Sequence, residues 1–188
     1  MTPTTTTPAD QAPGTRPRRR RRALAVLATI GVIIAGYATW TNTQPYTLEA
    51  SIQIHASPQR VWAVLTDRAA YPRWNPFIIS SHGQLKPGAT LVNRMHDATG
   101  DTTFTPVLQV VDPGHELQWI GRVGPGGIFD GQHTFTIQQI RPGLVLFTQR
   151  EDFTGVAVPF CQGHLHARHP VPVHAMNAAL ARQATRAS

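Results

Sequence analysis

The stretch Gln132-His-Thr-Phe-Thr-Ile-Gln-Gln-Ile140, followed by Arg141-Pro-Gly143 and Leu144-Val-Leu-Phe-Thr-Gln-Arg-Glu-Asp-Phe153, predicts a long antiparallel hairpin. Side chains alternate along both arms with the period of two that is typical of strands with one buried face. The residues on the predicted buried face are His133, Phe135, Ile137, Phe147, Gln149, Glu151 and Phe153. Together they predict an apolar cavity wall that is interrupted by a histidine, a glutamine and a glutamate.

The length of the turn decides which residues of the two arms face each other. A three-residue loop after Ile140 pairs Ile140 with Leu144 and places His133 opposite Glu151, with β-carbons about 5 Å apart. A two-residue turn would place His133 opposite Asp152 and reverse the faces, which contradicts the hydrophobic pattern. We therefore expect an odd-length loop or a β-bulge, and a His133–Glu151 pair.

The segments before the hairpin complete an α+β pattern with about seven strands. The other strand-sized segments, separated by turn signals, are Tyr46–His55, Phe77–Gln84, Ala89–Asp97, Asp101–Val111 and Glu116–Val123. In the last of these, the residues expected to point inward are Leu117, Trp119, Gly121 and Val123.

Two helical pieces follow the first strand. Ser57-Pro58 supplies an N-cap and a first-turn proline for a helix that extends to about Asp67. The stretch Tyr71–Pro76 can form only a short turn of helix and a loop, because two prolines interrupt it. We expect Trp74 to plug the end of the cavity and Asn75 to bond the loop backbone.

The first 46 residues divide into three parts. Residues 1–22 lack large apolar side chains and end in a run of arginines, which predicts a disordered basic arm. Residues 23–40 carry no charge and are close to the minimum length that spans a hydrocarbon core, so we expect a transmembrane helix. Residues 41–46 are expected to be a linker to one domain over residues 47–186.

The charge of +7 belongs mostly to the arm. Six arginines and one acid give residues 1–22 a charge of +5, and the remaining eleven basic and nine acidic residues add +2. A nucleic-acid-binding domain spreads its charge over a folded face, so no nucleic-acid partner is expected. The arginines predict a cytoplasmic N-terminus and a domain on the far side of the membrane. A signal peptide cleaved at Ala35-Gly-Tyr-Ala38 is the alternative.

Eight short segments of the predicted domain carry a resemblance to a known family. They are Ile54-His-Ala-Ser-Pro-Gln-Arg-Val-Trp62, Leu65-Thr-Asp67, Tyr71-Pro-Arg-Trp-Asn-Pro-Phe77, Gly83-Gln-Leu-Lys-Pro-Gly88, Glu116-Leu-Gln-Trp119, Gly131-Gln-His-Thr-Phe135, Glu151-Asp-Phe-Thr-Gly155 and Ala175-Met-Asn-Ala-Ala-Leu180. From about Tyr46 to Ala184 the chain resembles the START-like (SRPBCC) helix-grip superfamily, and within it the polyketide cyclase/dehydrase and lipid-transport branch. The resemblance implies a curved antiparallel sheet around a C-terminal helix, with a hydrophobic ligand held between them.

One stretch departs from that family pattern. The closing helix of the family would begin near residues 159–160, but Gly163, Pro170 and Pro172 are helix breakers. We therefore expect a shortened closing helix from about Val173 to Arg186.

The polar centre of the predicted cavity is the His133–Glu151 pair. Such a pair can hold a ligand hydroxyl or carbonyl, act as general base and orienter, or satisfy two buried polar groups without further function. The predicted ligand-binding residues are Trp119, His133, Phe135, Phe147, Gln149 and Glu151.

No metal or cofactor is expected. The histidines at 164, 166 and 169, with Cys161 and His174 nearby, are ligand-like in type but lack paired spacing and a rigid frame. Gly124-Pro-Gly-Gly127 does not open a helix, so it cannot direct backbone donors at a phosphate. With Cys161 the only cysteine, an internal disulfide is excluded.

Three functions stay open. The first is a membrane-anchored binding protein that holds a lipid or another hydrophobic small molecule. The second is a polyketide cyclase/dehydratase-like enzyme in which His133 and Glu151 move protons. The third is a structural or interaction domain with a filled core.

Overall fold

The computed structural model describes residues 16–97, 100–168 and 170–186. The elements in chain order are α1 (Arg16–Thr43), β1 (Tyr46–Ile54), α2 (Pro58–Thr66), a 3₁₀ turn (Arg68–Ala70), α3 (Tyr71–Trp74), β2 (Ile78–His82), β3 (Val92–Asp97), β4 (Gly100–Phe104), β5 (Val107–Asp112), β6 (Glu116–Arg122), β7 (Asp130–Arg141), β8 (Leu144–Thr154), α4 (Val158–Arg168) and α5 (Pro170–Thr185). The chain divides into two compact units, Met1–Tyr37 and Ala38–Ser188.

Helix α1 is longer than the segment expected at residues 23–40. It includes the arginines that we had placed in a disordered arm, and it continues to Thr43 through half of the expected linker. Arginine is a good helix former, and extending an existing helix is easier than starting one. The stretch Arg18–Thr43 is long and apolar enough to cross a membrane. Residues 1–15 of the expected arm lie outside the described residues.

The strands form two antiparallel sheets. The first has the order β1-β8-β7-β6-β5 and the second the order β2-β3-β4. A bridge between Thr90 and Val107 connects them, and the backbone nitrogen of Leu108 donates to the carbonyl of Ala89 at 2.9 Å. The strand expected over 101–111 is divided in two near Pro106, because proline cannot donate to a ladder. The described part of the chain therefore has eight strands, one more than expected.

The β7–β8 hairpin has the predicted register, with His133 opposite Glu151. A bulge before Arg141 maintains that register, and Arg141 pairs with Leu144. The prediction of a bulge is confirmed, whereas the expected pairing of Ile140 with Leu144 is wrong. One extra residue in one strand allows a tight turn without reversing the buried faces.

The inward face of β6 is confirmed for three of its four predicted residues. Leu117, Trp119 and Gly121 are buried, but Val123 is 66% exposed. The strand ends at Arg122, so Val123 belongs to the turn that leads to β7.

The short turn around Tyr71 joins the helices to β2. Asn75 accepts hydrogen bonds on Oδ1 from the backbone nitrogens of Phe77 and Ile78, both at 2.9 Å, as the sequence predicts. The Tyr71 hydroxyl donates to the Leu65 carbonyl at 2.6 Å. Burial raises the pKa of the Tyr71 phenol well above its ordinary range, so the group remains a neutral donor.

Two helices close the fold where the sequence predicted one shortened helix. Helix α4 forms despite Gly163, and α5 begins at Pro170, so the expected start near Val173 is wrong. A single glycine costs a helix only about 1 kcal/mol. Pro170 and Pro172 also lie within helical structure, although proline is by type a helix breaker.

Helix α5 covers the inner face of the five-stranded sheet. The buried residues at helical spacing are Val173, Met176, Asn177, Leu180 and Ala184. Its C-terminal end is bonded by Arg60 of α2, whose Nε donates to the Ala184 carbonyl at 3.3 Å and whose Nη2 donates to the Gln183 carbonyl at 3.4 Å. A cation at a helix C-terminus is electrostatically favourable, so this end of α5 is the firmly held one.

Candidate functional site

The six predicted ligand-binding residues all lie on the inner face of the five-stranded sheet. Trp119, His133 and Glu151 form one row across β6, β7 and β8. Phe135 and Gln149 form the next row on the same face. Of the six, the most exposed is Glu151, which is half-buried.

Aromatic rings surround His133. The His133 and Phe135 rings are nearly parallel, with centroids 4.4 Å apart. Trp119 lies 5.2 Å from His133 and 4.8 Å from Phe135, and Phe147 lies 6.1 Å from Phe135, all measured between ring centroids. This stack leaves His133 only 6% exposed, so its polar atoms depend on partners from the protein.

Those partners form a buried chain of side chains that we call the relay: His133, Gln149 and Asn177. Nε2 of His133 lies 3.1 Å from Oε1 of Gln149. Nε2 of Gln149 donates to Oδ1 of Asn177, and Nδ2 of Asn177 donates to the carbonyl of Ala50 at 3.1 Å. The relay therefore connects the site on β7 and β8 to helix α5 and ends on β1.

The direction of every hydrogen bond in the relay follows from its last acceptor. The Ala50 carbonyl can only accept, so Asn177 must present its NH₂ group there and its oxygen to Gln149. Gln149 must then present its oxygen to His133, which requires a proton on Nε2 of the ring. The relay selects the Nε2–H form of His133.

The other ring nitrogen faces the carboxyl group of Glu151, with Nδ1 3.5 Å from Oε2. Since Nε2 already carries a proton, a favourable contact here needs one more proton between Nδ1 and the carboxyl group. Both ring nitrogens of His133 are thus directed at protein groups. The sequence suggested His133 as base and Glu151 as orienter, but this geometry favours Glu151 as the group that meets a ligand.

A small cavity of about 50 Å³ lies beside the pair. It is bordered by Leu48, Glu49, Ala50, His133, Gln149, Arg150, Glu151, Val173 and His174. Sites for drug-sized ligands usually enclose about 300–1,000 Å³, whereas one water occupies about 30 Å³. Fully buried side chains, among them Phe135, Phe147, Met176 and Leu180, pack the described interior next to it. A ligand larger than this cavity would require the neighbouring helices to move.

Asn177 is the relay member that sequence reasoning missed. It is 2% exposed and lies on the apolar stripe of α5, between Val173 and Leu180. A polar residue on an otherwise apolar helix face is a signal that was present in the sequence. Which residues Asn177 bonds on the sheet depends on how α5 packs there, and the sequence pattern does not define that packing.

The other sequence candidates lie elsewhere. Arg94 and His96 of β3 face solvent, and both bond Asp101, with His96 Nδ1 2.7 Å from Oδ1. Hydrogen bonds from His96 and then Arg94 lower the pKa of the Asp101 carboxyl. Among the described residues no three His, Cys, Asp or Glu side chains converge as a metal site would require, and His169 lies outside those residues.

The family model for polyketide cyclase / dehydrase and lipid transport matches residues 45–187. The chain belongs to this family. No curated protein matches the sequence.

Solved structures with this fold include enzymes. The di-domain aromatase/cyclase BexL has a TM-score of 0.66 and 14% identity, with 91% of this chain and 61% of that chain covered, so this chain spans about three fifths of BexL. The aromatase/cyclase ZhuI from Streptomyces has a TM-score of 0.62 and 16% identity, with 76% and 95% covered. Norcoclaurine synthase from Thalictrum flavum, in complex with dopamine and hydroxybenzaldehyde, has a TM-score of 0.59 and 11% identity, with 77% and 90% covered.

The relay predicts a specific effect of Asn177→Leu. The change leaves buried polar groups of Gln149 and Ala50 without partners, so the free energy of unfolding should fall by about 1–3 kcal/mol. The Gln149 amide can then rotate and offer its NH₂ group to His133, which favours the Nδ1–H form. Ring ¹⁵N NMR of His133 should report that change of tautomer.

Asn93→Leu is the matched control, because Asn93 is also a buried asparagine, at 1% exposure, but lies in β3 outside the relay. It should lower stability without altering the His133 ring signals. An unchanged His133 tautomer in Asn177→Leu would show that the relay does not orient the ring.

Proposed function

We propose that this protein binds a hydrophobic small molecule that carries one polar group, and that α1 holds the binding domain at a membrane. The observation that carries the proposal is the half-buried Glu151 carboxyl beside an aromatic wall, 3.5 Å from a histidine whose ring is oriented by the relay. A charged or hydrogen-bonding pair in an otherwise apolar wall is the arrangement expected at a ligand's single polar group.

The family and its fold support this proposal. The family description includes lipid transport, and the same fold in norcoclaurine synthase holds two small aromatic compounds. An apolar ligand between sheet and helix gains about 25 cal/mol for each Å² of apolar surface that leaves water. The polar pair contributes less affinity but selects ligands with a hydroxyl, carbonyl or amine at the matching position.

Ligand entry in this proposal requires movement of the closing helices, because the present cavity has room for about one or two waters. The C-terminal end of α5 is bonded by Arg60, so the opening motion is expected away from that end. A membrane anchor keeps the domain where a hydrophobic ligand partitions, which raises the frequency of encounter.

A second function, proton transfer in a cyclase- or dehydratase-like reaction, is favoured by the same pair. His133 Nδ1 and the Glu151 carboxyl lie 3.5 Å apart, close enough to share a proton, and Glu151 borders the cavity. In that reaction Glu151 would transfer a proton to or from the substrate. His133 would then return a proton to Glu151 or take one from it.

The binding test uses the full chain in amphipol and a fluorescent long-chain alcohol as probe, because its hydroxyl can bond Glu151. His133→Phe preserves ring stacking but removes both polar contacts, and Glu151→Gln removes the charge while retaining shape. A hydrogen bond to a charged group contributes about 1.5–3 kcal/mol, so each variant should weaken binding by about 10–100-fold. Fluorescence titration measures this.

His96→Phe is the control for the binding test, since His96 forms an exposed pair with Asp101 and should not affect affinity. Absence of probe uptake by the unaltered chain, or equal affinity in all variants, would contradict the binding function. If Glu151→Gln abolished turnover of a polyketide-like substrate but retained its binding, the enzymatic function would be favoured instead.

The arginines of α1 favour a cytoplasmic N-terminus and an extracytoplasmic domain. A protease added to intact cells should then cut the domain and leave residues 1–22 intact, as immunoblotting of tags at both ends would show. Protection of the domain would refute this orientation, and loss of the N-terminal tag from untreated cells would indicate a cleaved signal peptide.

A further inference from the structure

Three segments meet at one end of the domain and form what we call the anchor joint: residues 38–43, 123–129 and 155–161. The backbone nitrogen of Gly155 donates to the Thr41 carbonyl at 3.0 Å. The nitrogens of Val156 and Ala157 donate to the carbonyls of Gly127 and Ile128, both at 3.0 Å. The last turns of α1, the β6–β7 turn and the start of α4 are therefore bonded to one another.

The joint is closely packed at its centre. Gly155 has a φ of 120°, and a β-carbon built there would lie 2.4 Å from the carbonyl oxygen of Ile128. Asn42 adds a side-chain contact, with Nδ2 donating to the Gly127 carbonyl at 3.4 Å. The end of α1 is thus part of the folded domain and not a loose linker.

The surface of the joint carries large apolar side chains, beside polar ones such as Asn42 and next to the Arg122–Asp130 ion pair. Large apolar side chains are exposed in each of its three segments: Trp40 at 55%, Val123 at 66%, Ile128 at 41% and Phe160 at 83%. None of the three segments contains a charged residue or a histidine. Exposed apolar groups on a soluble face are costly, so their concentration in three segments that are bonded to one another marks an interaction site.

We propose that the anchor joint is seated in the interfacial layer of the membrane that α1 crosses. The inference rests on the proposed anchoring by α1. Thr41 and Asn42 directly follow the apolar segment, so chain connectivity alone keeps the residues bonded to them close to its end. Tryptophan favours the membrane interface, and the Arg122–Asp130 ion pair beside the joint can stay among the polar headgroups while Val123, Ile128 and Phe160 enter the interface.

This seating places the ligand site near lipid. Glu151 precedes Gly155 by four residues of the chain, which corresponds to about 13 Å along a strand. Helix α4 begins within the joint at Val158, so the first turn of the closing helices would lie in the interface. A hydrophobic molecule could then pass between bilayer and cavity without crossing bulk water.

Site-specific quenching tests the seating. The full chain, with Cys161→Ser to remove its one cysteine, is reconstituted in phosphatidylcholine nanodiscs with nitroxide-labelled acyl chains. Single cysteines replace Phe160, Val123 or Ile140, and each carries a bimane label. Ile140 is the matched control because it is 49% exposed but lies at the far end of β7, about 33 Å from Asp130.

We expect nitroxide lipids to cause a loss of bimane emission at positions 160 and 123 and no loss at position 140. If the nitroxide lipids changed the emission equally at all three positions in a chain that co-floats with lipid, the seating would be overturned while the anchor stayed intact. Failure of the chain to co-float would overturn both the anchor and the seating. If position 160 were not quenched and instead cross-linked between copies, the surface would bind a second copy of the chain. That result would also overturn the seating.

Discussion

A backbone carbonyl can only accept a hydrogen bond, and at Ala50 this constraint determines the chemistry of the interior. Asn177 must donate to it, Gln149 must donate to Asn177, and His133 must carry its proton on Nε2. The ring is left with one nitrogen toward Glu151. One acceptor on β1 therefore orients a site on β7 and β8 through a helix that arrives last in the chain, and the site is complete only when α5 is docked.

Because the orientation of His133 depends on the docking of α5, ligand entry and the geometry of the site are coupled. The cavity beside Glu151 holds little more than a water, so a larger molecule bound there has to displace part of the closing helices. Displacement of α5 from the sheet separates Asn177 from Gln149 and releases the orientation of His133. The firmly bonded C-terminal end of α5 and the joint at the start of α4 confine such movement to the segment between them.

Much of this architecture follows from sequence pattern. Period-two alternation predicted the β7–β8 hairpin, and the requirement to keep Phe147 and Phe135 inward predicted the bulge and the His133–Glu151 pairing. Other features depend on a balance between local preferences and tertiary packing that the sequence pattern does not resolve. Pro170 and Pro172 break a helix or begin one, depending on what precedes them, and Val123 ends up in a turn because β6 stops at Arg122. Asn177 needs the packing of α5 on β1, a contact between residues 127 positions apart.

We infer that the interior admits a hydrophobic molecule at its Glu151 end. Native mass spectrometry of the full chain, extracted from the membrane of the cells that produce it, tests this most directly. We expect a non-covalent adduct of one hydrophobic molecule. A smaller fraction of the chain should carry it in Val173→Trp, because the larger side chain fills the cavity. A chain that appears only without adduct, in both forms and after incubation with its membrane lipids, would contradict the claim.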